Sequence, residues 1–232
     1  MPQIFHRSTN TFSRFSIVVA LLSVTAFFFA AAEMQSAPYL SWRGVIRTQP
    51  VPFSHKHHAG GLGIDCRYCH TSVEVSGYAG LPPTKTCMNC HSQIWTNAAL
   101  LEPVRESFRS GNSINWTKVN YIPDFVYFDH SIHINKGVGC NSCHGPVDQM
   151  ALMYQDSTMQ MEWCLSCHRG PEKFLRPRGE QFNMRYQQPT PSNPVKYDGQ
   201  TFTEQLQLGS YLAKKYHVRT PPEITSCSTC HR

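Results

Sequence analysis

Three stretches of the chain have a hydrophobic pattern clear enough to assign elements. Residues 16 to 32, "SIVVALLSVTAFFFAAA", carry no charge, and Arg7 and Arg14 lie just ahead of them. That layout belongs to a cleavable signal peptide or to a short membrane anchor with its N-terminus in the cytoplasm. The Ala30-Ala31-Ala32 ending suits cleavage. The reading carried forward is a transmembrane anchor over residues 16–34, with residues 1–15 cytoplasmic and Tyr39 and Trp42 as interfacial aromatics. Residues 98 to 109, "AALLEPVRESFR", put Leu100, Leu101, Val104 and Phe108 at helical spacing, which predicts a packing helix disturbed by Pro103. Residues 202 to 216 predict a short amphipathic helix leading into His217. Residues 171 to 200 break all periodicity with Pro171, Pro177, Pro189, Pro191 and Pro194, and predict an extended loop wrapping the domain or a partner.

About 200 residues follow the apolar run, enough for one or two domains, but the apolar content is moderate for an ordinary core. Some other filler is needed, and the cysteines suggest what it is. All ten fall into five pairs of CxxC spacing: Cys66 and Cys69, Cys87 and Cys90, Cys140 and Cys143, Cys164 and Cys167, Cys227 and Cys230. A histidine follows every pair, namely His70, His91, His144, His168 and His231. Disulfides do not require that histidine, and five pairs divide awkwardly into tetrahedral zinc sites. Histidines are 12 of 232 residues, so finding one behind all five pairs by chance has a probability on the order of 3 in 10 million. In a helical turn, two cysteines three apart and the next histidine share one face. Two sulfurs can then bond the vinyl groups of a porphyrin while the imidazole ligates its iron from below. The pattern predicts five covalently bound haem c groups, with the five histidines as proximal ligands.

Sixth ligands decide between a site that does chemistry and one that only passes electrons. Phe53 to His70, "FSHKHHAGGLGIDCRYCH", and Phe128 to His144, "FDHSIHINKGVGCNSCH", repeat the same order: Phe-x-His-x-x-His, a Gly-containing turn, then CxxCH. Each is followed by a second CxxCH. The repeat singles out His55, His58, His130 and His133 as sixth ligands, two per module, and leaves His57 without a counterpart. His55 and His130 lie 11 and 10 residues ahead of Cys66 and Cys140, which suggests that each caps the haem that follows it. His58 and His133 are then left for the other haems of their modules. The fifth haem has His217, Met161 or Met150 as candidates, with Met153, Met159 and Met184 behind them. His6 precedes the anchor and falls on the wrong side of the membrane.

The formal charge of +6 would suggest nucleic acid or anionic lipid. Ten propionates and five ferric irons bring the holoprotein to about +1, so the polypeptide charge argues for neither, and no nucleic acid partner is expected. No Ser/His/Asp grouping, phosphate loop or paired catalytic carboxylates stand in supporting context. The expectation is an electron-transfer subunit and no enzyme of its own. The competing class is a multihaem reductase with one open iron.

Phe-x-His-x-x-His ahead of CxxCH resembles the class III multihaem cytochromes over roughly residues 53 to 91 and 128 to 168. "AGLPPTKTCMNCH", "WTKVNYIPDFVYFDHSIH", "MEWCLSCHR" and "CSTCHR", together with the N-terminal run, resemble the pentahaem cytochrome subunit of alternative complex III. That resemblance implies a haem domain on the periplasmic face of the bacterial inner membrane, beside an iron-sulfur, molybdopterin-like subunit and integral quinol-binding subunits. A monohaem cytochrome c or a terminal oxidase would accept the electrons. It also implies that some haems have Met as sixth ligand. The hexahaem subunit of menaquinone reductase complexes is the nearest alternative, disfavoured by the count of five sites.

The expected fold is mainly irregular with short α-helices, built around five haems and carrying one N-terminal transmembrane helix. Its segments are a first dihaem module at 35–97, a connector at 98–127, a second dihaem module at 128–170, the Pro-rich loop at 171–200 and a monohaem segment at 201–232.

Overall fold

The computed structural model describes residues 4–231 and divides into two compact units, Met1–Arg43 and Gly44–Arg232. Residues 1–3 of the expected cytoplasmic segment and the terminal Arg232 lie outside the described residues.

The first unit is dominated by α1, Ser8–Ser36, a helix of 29 residues. At 1.5 Å per residue it is about 43 Å long, more than the hydrocarbon core of a bilayer. It begins earlier than the uncharged run because Ser8 to Phe15 continue the same helix. Its large apolar side chains are exposed along its length, among them Phe15, Leu21, Leu22, Phe28 and Phe29. A helix apolar all round has no single face to bury in a soluble core. It stops where Ala37 turns extended, and Pro38 opens the four-residue α2, Pro38–Ser41.

The second unit is a succession of short elements. α3 spans Cys66–Cys69 and α4 Thr84–His91. A 3-10 turn at Ala99–Leu101 runs into α5, Glu102–Ser110. Pro103 does not disturb this helix as expected: it sits in the first turn, where its missing N–H has no helical partner to lose. α6 is His130–Asn135, α7 Asn141–His144 and α8 Met161–His168. β1, Val195–Tyr197, pairs antiparallel with β2, Gln200–Phe202, in the register Val195 with Phe202. α9 spans Gln205–Lys215, α10 Pro221–Ile224 and α11 Cys227–Cys230. The amphipathic helix expected at 202–216 is therefore α9, preceded by a hairpin that the proline count concealed. The hairpin turns on Asp198-Gly199, with φ of 56° and 75°, the left-handed pair that a tight two-residue turn requires.

Among the described residues, buried apolar side chains gather in two small clusters. One joins Leu175, Phe202, Leu208, Leu212 and Tyr216, so that α9 lies on the segment after Pro171. A Cβ at Gly209 would overlap the Glu172 carbonyl, which explains a glycine inside that helix. The other cluster joins Val51, Leu101 and Val104, with Met88 and Trp116 against it. Neither cluster contains a histidine.

The proline-rich segment docks on the second module. Val138 bridges to Leu175, the Arg176 amide donates to the Gly137 carbonyl (2.8 Å), and the Cys140 amide donates to the Gln181 carbonyl (2.9 Å). Asn141 Nδ2 adds a bond to the Met184 carbonyl (3.2 Å).

Candidate functional site

Every CxxC pair forms or ends a helical turn. In α3, α7 and α11 the histidine amide donates to the carbonyl of the first cysteine: His70 to Cys66 (2.8 Å), His144 to Cys140 (3.0 Å), His231 to Cys227 (2.8 Å). In α4 and α8 the pair occupies the last turn and His91 and His168 are the final helical residues. One turn thus presents two sulfurs and an imidazole on a common side. No disulfide joins the ten cysteines. Among the described residues no three His, Cys, Asp or Glu side chains converge as a metal cage.

The two repeats fold alike down to the ring contacts. Phe53 meets His55 edge-on at 4.9 Å and lies over His58 at 4.4 Å. Phe128 meets His130 edge-on at 4.7 Å and lies over His133 at 4.6 Å. The residue after each Phe caps the turn: Ser54 Oγ accepts from the His57 amide, and the Asp129 side chain accepts from the Ile132 amide. The first repeat has one more residue between histidine and cysteine, and the structure absorbs it. Lys56–Gly61 is a π-helical turn where the second repeat has the α-helical turn α6. Gly60 in that turn is fixed by a close approach, since a Cβ there would strike the Asp148 carbonyl.

Most of the histidines are held through Nδ1. His58 bonds the Ser54 carbonyl (2.9 Å), His133 that of Asp129 (2.7 Å), His70 that of Gly80 (2.7 Å) and His130 that of Gly77 (2.9 Å). His168 bonds the Ile224 carbonyl (2.8 Å), and His91 and His231 make longer bonds of 3.3 Å to Ile94 and Phe125. Donation from Nδ1 to a carbonyl fixes the tautomer and leaves the Nε2 lone pair free to ligate. Burial, then His70, holds the His55 pKa down at about 4; burial, then His130, does the same for His144. Both rings are neutral at ordinary pH, the form that binds a metal.

Three pairs of rings lie at nearly one separation. His58 and His91 have centres 6.2 Å apart, His130 and His144 6.4 Å, and His133 and His168 6.2 Å. The His130 and His144 planes are within 2° of parallel. An iron held by two imidazoles takes a bond of about 2 Å on each side, and each Nε2 lies about 1 Å from its ring centre, which sums to about 6 Å. The residues present therefore fit a haem iron between each pair. His55 opens the turn that carries His58, with His70 near enough to lower its pKa.

The fifth turn is different. His231 has Phe125 as its ring neighbour at 5.8 Å. Among the described residues no hydrogen bond or ring contact joins it to His217, Met150 or Met161. His217 is exposed, with left-handed φ of 51°, and its carbonyl accepts from Lys136 Nζ. Met161 is exposed at the start of α8, whereas Met150 is buried and its carbonyl accepts from the Lys56 amide. His57 turns outward, its ring 5.8 Å from Trp95. The phenylalanines of the repeats were not foreseen as site residues, although Phe-x-His-x-x-His recurring twice was the signal for them.

Residues 126–232 match the family described as "Cytochrome c7 and related cytochrome c". The chain is 32% identical over 143 residues to "Menaquinone reductase, multiheme cytochrome c subunit" of Nitratidesulfovibrio vulgaris, an alignment covering 53% of this chain and 68% of that protein. The chain belongs to the multihaem cytochrome c family. Covalent haem c attachment and electron transfer follow from that membership.

Proposed function

We propose that this multihaem cytochrome carries five haem c groups and serves as the electron-transfer subunit of a membrane complex exchanging electrons with quinone. The haems supply one-electron transfer. The chain's own residues do the rest: ten cysteines hold the groups, and His70, His91, His144, His168 and His231 ligate from the proximal side. His55, His58, His130 and His133 ligate from the distal side, each ring kept in register by its backbone carbonyl or by Phe53 and Phe128.

The observation that carries this reading is the repeated ring separation of 6.2–6.4 Å in His58–His91, His130–His144 and His133–His168. Two strong ligands leave an iron with nothing to do but change oxidation state, which favours a wire over a reductase. The likeness to the Nitratidesulfovibrio menaquinone reductase subunit supports a menaquinone-linked complex, the alternative that the site count disfavours. The resemblance to alternative complex III adds quinol oxidation, an iron-sulfur neighbour and a cytochrome or oxidase as acceptor. α1 is long and apolar enough to cross a membrane, which supports an anchor with the haem unit on the periplasmic side. The test is quinol-dependent reduction in native membranes. Reduction of this cytochrome by added menaquinol, blocked when the integral subunits are absent, is expected; reduction that ignores quinol would sink the proposal.

A further inference from the structure

The connector does not carry the chain from the second CxxCH of module one directly to module two. It folds back: Val104 of α5 is buried in the cluster that Cys87 and Met88 join, and Thr84 Oγ1 lies 2.6 Å from Ser107 Oγ. The Cys87–Cys90 turn is thus covered by α5 on one side. On the other, Asn89 Nδ2 donates to Tyr68 Oη (3.0 Å), joining the Cys87–Cys90 turn to the Cys66–Cys69 turn, and His58 lies 6.2 Å from His91.

Module two meets module one elsewhere. The loop after His70 holds His70 itself through the Gly80 carbonyl and His130 through the Gly77 carbonyl, three residues away. The amides of His130 and Ser131 bond Gly77 and Ser76, and Asn135 Nδ2 bonds the Glu74 carbonyl (2.8 Å). From there His130 and His133, on one turn, lead to His144 and His168. His168 closes the sequence by bonding the Ile224 carbonyl, just ahead of Cys227.

The geometry points to a single file of attachment sites in the order Cys87–Cys90, Cys66–Cys69, Cys140–Cys143, Cys164–Cys167, Cys227–Cys230, with the two modules joined through their first sites. The inference rests on the reading that all five turns hold haem c. The first module runs backwards relative to the chain. The Cys87 and Cys227 sites are the ends, where electrons from a one-electron donor arrive and where the same number leave to a one-electron acceptor, and Cys66 with Cys140 is the crossing between modules.

The order is tested by haem-resolved NMR during stepwise reduction of the intact holoprotein, comparing wild type with His58→Met and with the double variant Cys87→Ser/Cys90→Ser. In His58→Met the Cys87 haem, given a thioether ligand, reduces at higher potential. Its reduction is expected to shift the midpoint of the Cys66 haem and to leave the Cys140 haem where it was. The double variant should keep four haems and the full interaction between the Cys66 and Cys140 haems. A direct shift of the Cys140 haem in the first variant, or loss of the Cys66–Cys140 interaction in the second, would overturn the order. Intact mass of the same samples counts the haems first. A wild type short of five haems overturns the underlying reading and this order with it, and is thereby told apart from a wrong order with every haem attached.

Discussion

His130 donates from Nδ1 to the carbonyl of Gly77, 53 residues earlier in the chain and in the other module, at 2.9 Å. The same loop orients His70 through Gly80, so a ring of the second module takes its angle from the first. Residues 126–232 made alone should therefore attach their haems but hold His130 loosely. The expected outcome is a fraction of high-spin iron at the Cys140 site in the low-temperature EPR spectrum, absent from the whole chain. A fully low-spin fragment would show that module two orients His130 unaided.

His130→Ala and His133→Ala each remove one member of a ring pair. Each variant should bind CO at one haem of the five, with an optical change in proportion, because one coordination position opens. His57→Ala, at an exposed ring stacked with Trp95 and edge-on to its neighbour His58, should bind none.

Phe128 lies over His133 at 4.6 Å and edge-on to His130 at 4.7 Å. Truncating this half-buried ring to Ala should cost about 2 kcal/mol, combining lost aromatic contact with partial cavity formation. For a chain of this size that is a fall of about 4–8 °C in Tm, readable by thermal melting at the Soret band. Phe128→Tyr, which keeps the ring, should recover most of it.

Arg176 sets a fixed positive charge beside the Cys140 turn. Its guanidinium bonds the Asn141 side chain, lies 4.9 Å from the Tyr186 ring centre, and leaves no room for a Cβ at Gly139. Burial lowers its pKa, yet arginine stays charged. A nearby cation disfavours the ferric form, which carries one more positive charge than the ferrous. Arg176→Gln should therefore lower the midpoint of one haem by about tenfold in the reduction equilibrium, about 59 mV for one electron. Arg176→Lys should keep the midpoint near wild type, and a potentiometric titration reads both.

Much of the site was legible in the sequence because its chemistry is local. Cys-x-x-Cys-His is a single helical turn, and a turn is specified by five residues. The repeated Phe-x-His-x-x-His was equally plain, and the one-residue difference between 11 and 10 became a π turn against an α turn. What the sequence withheld is non-local. Gly77 and Gly80 act through carbonyls, which no side chain announces, and the fold-back of α5 onto α4 depends on Val104 choosing one of several possible neighbours. The hairpin at Val195–Phe202 was readable from Asp198-Gly199 but was masked by the prolines before it. The role of His217 is not local either, since an exposed ring on a left-handed residue has no neighbour that spacing could name.

The most direct measurement of the central claim is the intact mass of the purified cytochrome together with its ferric spectrum. Five covalent haems with His-ligated low-spin iron at the Cys66, Cys87, Cys140 and Cys164 sites are predicted. A mass matching bare polypeptide, or high-spin iron at any of those four, would contradict it.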